Sequence, residues 1–259
     1  MTIIIFFTAL FGAVLGSFAN VVIIRWHEEA PLGGRSNCPN CKKTIRPRHL
    51  VPVFSWIFLR GRCADCDAKI HIQYPIVEAI AVLFAVIAAL RHDPLTDTWP
   101  FVFELVVSIG LIVPVVMDIR WKELPVEYLS GIGVFAFLFH AILTFSSIFG
   151  TIVAIAGASA FFALQFLLSR GKWIGEGDIL FGAMMGAILA TPLKTGIAIY
   201  LAYILGGFFA LVGLVFKLYR RGSHVPFAPA LAAGTLLTIW HGDLLITWIT
   251  RGWLYSLRI

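Results

Sequence analysis

The chain has 259 residues, of which 59% are hydrophobic and 13% are charged, and its formal net charge is +6. This composition excludes a water-soluble globular domain and is typical of a protein that crosses a membrane several times. Because Lys and Arg collect in cytoplasmic loops of membrane proteins, the positive charge requires no nucleic acid partner, and we expect none.

Eight apolar runs predict the fold, since a helix that spans a bilayer needs about 20 residues. We therefore expect an all-α polytopic membrane protein with about eight transmembrane helices, surrounded by membrane lipid. The sixth run is short and ends before Pro192, so it is either extended on one side or a partial helix. The runs cover residues 3–24, 74–90, 99–117, 128–145, 149–168, 179–190, 196–216 and 227–249.

The distribution of basic residues predicts the orientation. If the N-terminus lies outside, 16 of the 20 Lys and Arg residues fall in the inner segments. This bias matches the excess of positive charge on the cytoplasmic side, so we expect both ends of the chain to lie outside. The predicted domains are a first transmembrane helix (1–24), a small cytoplasmic domain (25–73) and a seven-helix membrane domain (74–259).

All four cysteines lie in the polar segment 25–73, as two C-x-x-C pairs formed by Cys38 with Cys41 and by Cys63 with Cys66. This spacing is typical of a tetrahedral zinc site with four thiolates, which is closed to substrate and therefore structural. Two disulfides are the alternative, but a cytoplasmic location disfavours them. A segment this small also needs a cross-link in place of a large core.

Two aspartates lie at the ends of apolar runs, Asp118 after the third run and Asp178 before the sixth. In the predicted topology both lie on the cytoplasmic side, so they could share one site. Ionisable groups at a membrane edge are costly and often functional, although each aspartate could also simply end a helix and face water. Gly175 and Gly177 flank Glu176 before Asp178, and glycine permits sharp bends and close approach of the backbone.

Other groups are weaker candidates for the same cavity. Glu78 begins the second run on the inner side, and Pro226 belongs to a broken stretch before the last run, so either could bind substrate or cofactor. Glu104 lies nearer the outer side, where we expect it either to pair with a polar neighbour or to snorkel toward water. The G-x-x-x-G spacings at Gly12 and Gly182 predict close packing of helices.

The acidic pair points to one kind of chemistry. Two neighbouring carboxyl groups tend to share a proton, so that one can act as a base on water while the other donates a proton to a carbonyl. This is the arrangement of an aspartic protease. The H-E-x-x-H, phosphate-loop and G-x-G-x-x-G motifs are absent from the sequence.

Several motifs together resemble the type IV prepilin peptidases, the membrane aspartic proteases that also act as N-methyltransferases. Gly175-Glu176-Gly177-Asp178 is similar to their G-x-G-D signature, and the likeness extends over most of the chain. The other matching segments are residues 16–25, 38–41, 51–56, 59–66, 74–78 and 226–229.

The resemblance implies that Asp118 and Asp178 are the catalytic pair and that the four cysteines bind zinc. It implies cleavage of the leader from a prepilin, or from a type II secretion pseudopilin, just after a glycine at the cytoplasmic face. It further implies that S-adenosylmethionine methylates the new N-terminal amine. This sequence departs from the family at Leu180, where a lysine is usual.

Two alternatives remain open at this stage. A peptidase that does not methylate is one, because the sequence contains no recognisable S-adenosylmethionine motif. A transporter or assembly scaffold that uses acidic residues for ions is the other, and it would place polar residues toward both faces of the membrane. The single-sided acidic pair disfavours that second alternative. The sequence leaves the oligomeric state open.

Overall fold

The computed structural model describes residues 2–143, 148–216 and 225–256, with side chains only up to residue 248. The end of the fourth predicted run, Phe145, and the predicted inner segment 217–224 lie outside this part of the chain. Ten α-helices occur in the described residues: α1 (Thr2–His27), α2 (Phe54–Phe58), α3 (Gln73–Arg91), α4 (Thr98–Gly110), α5 (Ile112–Trp121), α6 (Val126–Leu143), α7 (Ile148–Ser169), α8 (Glu176–Leu189), α9 (Pro192–Val215) and α10 (Ala228–Ser256).

The prediction of an all-helical membrane protein is confirmed. Seven helical stretches of the described chain are long and apolar enough to cross a membrane, with α4 and α5 together forming one of them. The sixth predicted run is the exception, because α8 has only 14 residues and is about 21 Å long. That length is less than the roughly 30 Å hydrocarbon core of a bilayer, so α8 is a partial helix.

The chain divides into two compact units, Met1–Val116 and Met117–Ile259. In the first unit, α1 packs closely along α3. A Cβ atom added at Gly12 would lie 2.5 Å from the Cβ of Ala85, and one at Gly16 would lie 2.7 Å from that of Ala81. The predicted close packing at this G-x-x-x-G spacing is therefore confirmed, since only glycine lets the two backbones approach this far.

Polar contacts are present at both ends of α3 in the first unit. At one end the side chain of Gln73 donates to Asn20 Oδ1 at 3.3 Å, and Asn20 donates to the carbonyl of Tyr74 at 3.1 Å. At the other end the buried carboxylate of Glu104 lies 3.0 Å from both Arg91 Nε and His92 Nε2. The expectation that Glu104 pairs with a polar neighbour is thus confirmed.

In the second unit α8 is the central element, and α6, α7, α9 and α10 all pack against it. Nine of its residues are buried. Surrounded by helices in this way, α8 does not need the length that a lipid-facing span requires. Gly186 faces the backbone of α7, where an added Cβ would lie 2.6 Å from the nitrogen of Ile155 and 2.7 Å from the oxygen of Ala154.

We predict that Gly186→Ala destabilises the protein by about 1–3 kcal/mol, because the new methyl group overpacks against backbone that cannot move aside. The matched control is Gly131→Ala on α6, where an added Cβ meets no atom within 4 Å. There alanine is expected to stabilise the helix by about 0.5–1 kcal/mol. Thermal unfolding in detergent measures both, and equal shifts would contradict the packing argument.

Candidate functional site

Asp118 is buried on α5, where its carboxylate meets the first turn of α10. The N–H of Ala228 donates to Asp118 Oδ2 at 2.8 Å. The first amide groups of a helix have no partner within the helix, and the helix dipole favours negative charge there. Asp118 therefore supplies the N-terminus of α10 with an acceptor, and that N-terminus stabilises its negative charge.

Asp178 is also buried and lies in the first turn of α8. The N–H of Gly175, which precedes the helix, donates to Asp178 Oδ2 at 2.9 Å. This is the half of a capping box in which a side chain at the third helical position reaches back to the N-cap. Gly175 has no side chain to complete the other half. A structural role as a helix cap therefore accompanies any catalytic role of Asp178.

The two carboxyl groups belong to the same unit and are close enough for the charge of Asp118 to act on Asp178. Each lies at the N-terminus of a helix, α10 for Asp118 and α8 for Asp178. Lys122, one turn after Asp118, adds an electrostatic contact to that residue. The structure thus brings together two buried acidic groups that were predicted from the ends of separate apolar runs.

The two glycines of the G-x-G-D stretch differ in what the structure requires of them. A Cβ at Gly177 would lie 2.8 Å from the side chain of Leu124, which follows α5. Gly177 thus allows the start of α8 to approach the segment that carries Asp118. At Gly175 an added Cβ would lie 3.8 Å from Asp178, an ordinary contact, and its φ of −86° is open to other residues.

The stretch around Pro226 borders the site through the residues that follow it. Ala228 makes the hydrogen bond to Asp118, and the ring of Phe227 stands edge-on to the ring of Tyr203 at 5.3 Å. Tyr203 interacts electrostatically with Asp178 and donates to Gln165 Oε1 at 2.7 Å. Sequence reasoning missed Tyr203 and Gln165, and their only signal is a polar group inside an apolar run.

Glu78 lies in the first unit, where it holds a loop of the cysteine-containing segment. The N–H of Val53 donates to Glu78 Oε2 at 2.6 Å. Val53 has φ +63°, a conformation that a β-branched residue adopts only when its surroundings impose it. The contact gives Glu78 a structural function, while the predicted role in binding substrate or cofactor stays a prediction.

We predict that Glu78→Ala loosens the Val53 loop, because it removes the acceptor of the Val53 N–H, and an unsatisfied buried donor costs about 1–3 kcal/mol. Amide hydrogen exchange over residues 51–59 is expected to rise by about 10-fold or more. Glu78→Gln is the matched control, since its amide oxygen can still accept. Equal exchange in both variants would show that this hydrogen bond does not hold the loop.

The two C-x-x-C pairs form two turns of the same design. The N–H of Cys38 donates to the carbonyl of Lys43 at 3.0 Å, and that of Cys63 donates to Ala68 at 2.8 Å. In each turn the residue four positions after the first cysteine has a positive φ, +57° at Lys42 and +58° at Asp67. The sequence gives only a weak sign of this equivalence, because besides the cysteines only Arg35 and Arg60, and Ile45 and Ile70, recur at equivalent positions.

The four thiols come together, and their Sγ atoms all lie within 4.8 Å of one another. Cys38 and Cys66 are 3.8 Å apart, whereas a disulfide would require about 2.05 Å. Four thiolates at about 2.3 Å from a central zinc ion lie about 3.8 Å apart in a tetrahedron. The cluster can therefore hold zinc, and all four cysteines are free of disulfides.

A residue between the first two cysteines, Asn40, contacts the thiol of Cys66 in the second pair. The side chain of Asn40 donates to Cys66 Sγ at 3.5 Å. This hydrogen bond is the main reason that the pKa of the Cys66 thiol is lowered to about 6. The thiolate is the form that binds metal, so the contact favours ligation.

Comparisons with known proteins find relatives that align with most of this chain. The Bacterial Peptidase A24 N-terminal domain model matches residues 10–92. The prepilin leader peptidase/N-methyltransferase of Dichelobacter nodosus is 32% identical, over 92% of this chain and 92% of its own length. The Type 4 prepilin-like proteins leader peptide-processing enzyme of Escherichia coli O78:H11 is 31% identical, over 88% of this chain and 91% of its own.

The chain belongs to the prepilin leader peptidase/N-methyltransferase family. A further member, from Bacillus subtilis, is 27% identical over 93% of this chain and 96% of its own length. The family model covers the glycine contacts of α1, the four cysteines and Glu78, while both aspartates lie beyond it. No solved structure matches the chain.

Proposed function

We propose that this protein removes the leader peptide from type IV prepilins or type II secretion pseudopilins, with Asp118 and Asp178 as the catalytic pair. One observation supports this assignment most strongly. Two buried aspartates lie at the N-termini of two helices and within range of each other's charge, in a protein whose relatives are named prepilin leader peptidases. Burial of two acidic groups is costly and is common at functional sites.

The two aspartates have different roles in hydrolysis, Asp118 as the base and Asp178 as the acid. Asp118 accepts the amide of Ala228 and lies near Lys122, so the negative charge of the pair is best placed there. The ionised carboxylate removes a proton from a water molecule, whose oxygen forms a bond to the carbonyl carbon of the substrate. Asp178, protonated, donates to the carbonyl oxygen. The C–N bond then breaks as the leaving amine takes the proton held by Asp118, and Asp178 takes back a proton from the hydroxyl group of the tetrahedral intermediate.

The second step is methylation of the amine that cleavage exposes, with S-adenosylmethionine as the methyl donor. This part of the proposal rests on the names of the relatives, which include N-methyltransferase. Glu78 and the stretch around Pro226 are the candidate residues for binding cofactor or substrate. A peptidase without methyltransferase activity is the alternative within the family's chemistry, and the comparisons do not favour a transporter or scaffold.

Zinc is proposed as a structural ion held by Cys38, Cys41, Cys63 and Cys66. Four thiolates complete a tetrahedral site and leave no position for substrate or water. The ion would tie together the two turns of a segment that contributes few buried apolar side chains. The reaction itself would then use the aspartates alone.

We place the protein in the bacterial inner membrane, with its N-terminus outside and the zinc domain and both aspartates on the cytoplasmic side. The charge bias supports this orientation, since 16 of the 20 Lys and Arg residues fall in the inner segments. A cysteine-accessibility or reporter-fusion map of the loops tests it. Modification of the 25–73 segment from outside intact cells would overturn it.

Intact mass spectrometry of a purified prepilin tests both activities at once. The substrate is incubated with the protein in detergent, with and without S-adenosylmethionine. Loss of the leader in both reactions, with one added methyl group only when the cofactor is present, is the expected result. Loss of the leader alone would retain the peptidase and refute methylation, and an unchanged substrate with folded, zinc-loaded protein would refute the peptidase assignment for that prepilin.

A further inference from the structure

An apolar patch lies on the surface of the cysteine-containing segment. It consists of Phe54, Ile57 and Phe58 on α2, which are 62%, 58% and 83% exposed. The helix is held by its other face, where Trp56 donates to the carbonyl of Ile70 at 3.2 Å and its ring packs on Gly61. Large apolar side chains grouped on a surface mark a site that something covers, because their exposure to water is unfavourable.

The position of the patch relative to the membrane-spanning helices identifies what covers it. Val53 immediately precedes α2, and its N–H donates to Glu78 Oε2 at 2.6 Å. Glu78 lies five residues inside α3, which is long and apolar enough to span a membrane. Five residues correspond to about 7.5 Å along a helix. The hydrogen bond therefore holds the start of α2 at the level of the first turns of a membrane span.

The charge around the patch is strongly one-sided. Residues 30–64 contain seven Lys and Arg and no Asp or Glu. Arg48 precedes the patch, in a short 3-10 helix that packs against α2, and Arg60 follows it. Both are exposed. Apolar side chains flanked by arginines, in a stretch of 35 residues without acidic groups, have the chemistry of a surface that binds anionic lipid headgroups.

We propose that residues 46–60 dock on the anionic headgroup region of the same bilayer that the helices cross. Phe54, Ile57 and Phe58 then enter the boundary between headgroups and acyl chains, while Arg48 and Arg60 contact lipid phosphates. An amphipathic segment of this kind inserts by about 5–10 Å. The hydrogen bond from Val53 to Glu78 already holds the patch at this depth, so lipid reaches it without any further binding partner.

Docking also explains why Val53 persists in its unfavourable conformation. The hydrogen bond to Glu78 holds Val53 from one side, and lipid contact of the next turn would hold it from the other. A backbone conformation of this type is kept only where the surroundings determine it more than once. The cysteine-containing segment is thereby attached to the membrane at a third place, besides the ends of α1 and α3.

Site-specific photocrosslinking tests the proposal. p-Benzoylphenylalanine is placed at position 58 of the full-length protein, which is reconstituted in nanodiscs of phosphatidylcholine and phosphatidylglycerol. Phe58 is 83% exposed, so the substitution leaves the fold intact. The control carries the same group at Lys43, an exposed position of the first cysteine turn. Zinc content verifies folding of both proteins.

Lipid adducts at position 58 are expected at a yield at least 10-fold above that at position 43, and enriched in phosphatidylglycerol. The charge-reversed variant with Arg48→Glu and Arg60→Glu is expected to lose this enrichment while keeping its zinc. Equal yields at the two positions would overturn the proposal. So would an adduct with added prepilin that replaces the lipid adduct, because the patch would then be a substrate surface.

Discussion

Replacing Asp118 or Asp178 by asparagine is expected to lower the rate of leader removal by about 10⁴-fold or more, the size of effect seen when a central catalytic group is removed. Asparagine keeps the size of the side chain and an oxygen that can accept a hydrogen bond. The contacts with Ala228 and Gly175 therefore survive, and thermal stability is expected to change little. Asparagine can neither hold the negative charge nor transfer the proton.

Intact mass spectrometry of the prepilin over time measures the rate. The matched control is Asp243→Asn, because Asp243 also lies on α10 but is 87% exposed and paired with Lys194. That variant is expected to cleave at the wild-type rate, since an exposed ion pair contributes little. Cleavage by Asp118→Asn or Asp178→Asn at a rate similar to the control would show that the aspartates serve only as helix caps.

The double variant separates a shared mechanism from two independent contributions. If the two carboxyl groups act as one unit, removing the second after the first is expected to cost little more. The rate of the double variant would then be similar to that of the worse single variant. Losses that multiply would contradict the paired mechanism while leaving each residue important.

Much of the site could be predicted because its residues stand out from their surroundings. Asp118 and Asp178 are acidic groups next to long apolar runs, and the cysteines repeat at metal-ligand spacing. Membrane spans can be predicted equally well, since the thickness and apolarity of the bilayer determine their length and composition. These features depend on local sequence alone.

Other features depend on contacts between distant segments and could not be predicted in the same way. The hydrogen bond of Ala228 to Asp118 joins residues 110 positions apart. Tyr203 acquires its place near Asp178 only through the packing of helices. The sequence does show that the sixth run is short, but only the packing shows that four other helices enclose α8, so that it does not have to match the bilayer.

The four residues of the G-x-G-D stretch include features that local sequence predicts and features that depend on tertiary contacts. Its acidic residue and its flexibility suggested a site from sequence. Only the packing shows that the two glycines differ. The side chain of Leu124 leaves no room for a Cβ atom at Gly177, whereas the neighbours of Gly175 do leave room for one. We therefore expect Gly177 to tolerate alanine less well than Gly175.

If the four thiolates hold zinc as proposed, loss of the site is expected to unfold the cysteine-containing segment while the membrane helices stay folded. Structural zinc contributes about 10–16 kcal/mol in small zinc-binding peptides, far more than the few buried side chains of this segment can replace. Cys63→Ser removes one of the four thiolates and leaves a poor oxygen donor in its place. Bound zinc, measured by mass spectrometry of the metal, is expected to fall from about one ion per chain to nearly none.

Asn40→Ala is expected to weaken metal binding less than Cys63→Ser does. It leaves all four thiols in place and removes only the hydrogen bond to Cys66 Sγ. Groups that support a metal ligand in this way typically change affinity by about 10–100-fold, so competition with a chelator is expected to show weaker binding rather than none. Limited proteolysis is expected to cut within residues 25–73 of Cys63→Ser and to spare Asn40→Ala at saturating zinc. If the cysteine variant resists the protease as wild type does, zinc is not what holds the two turns together.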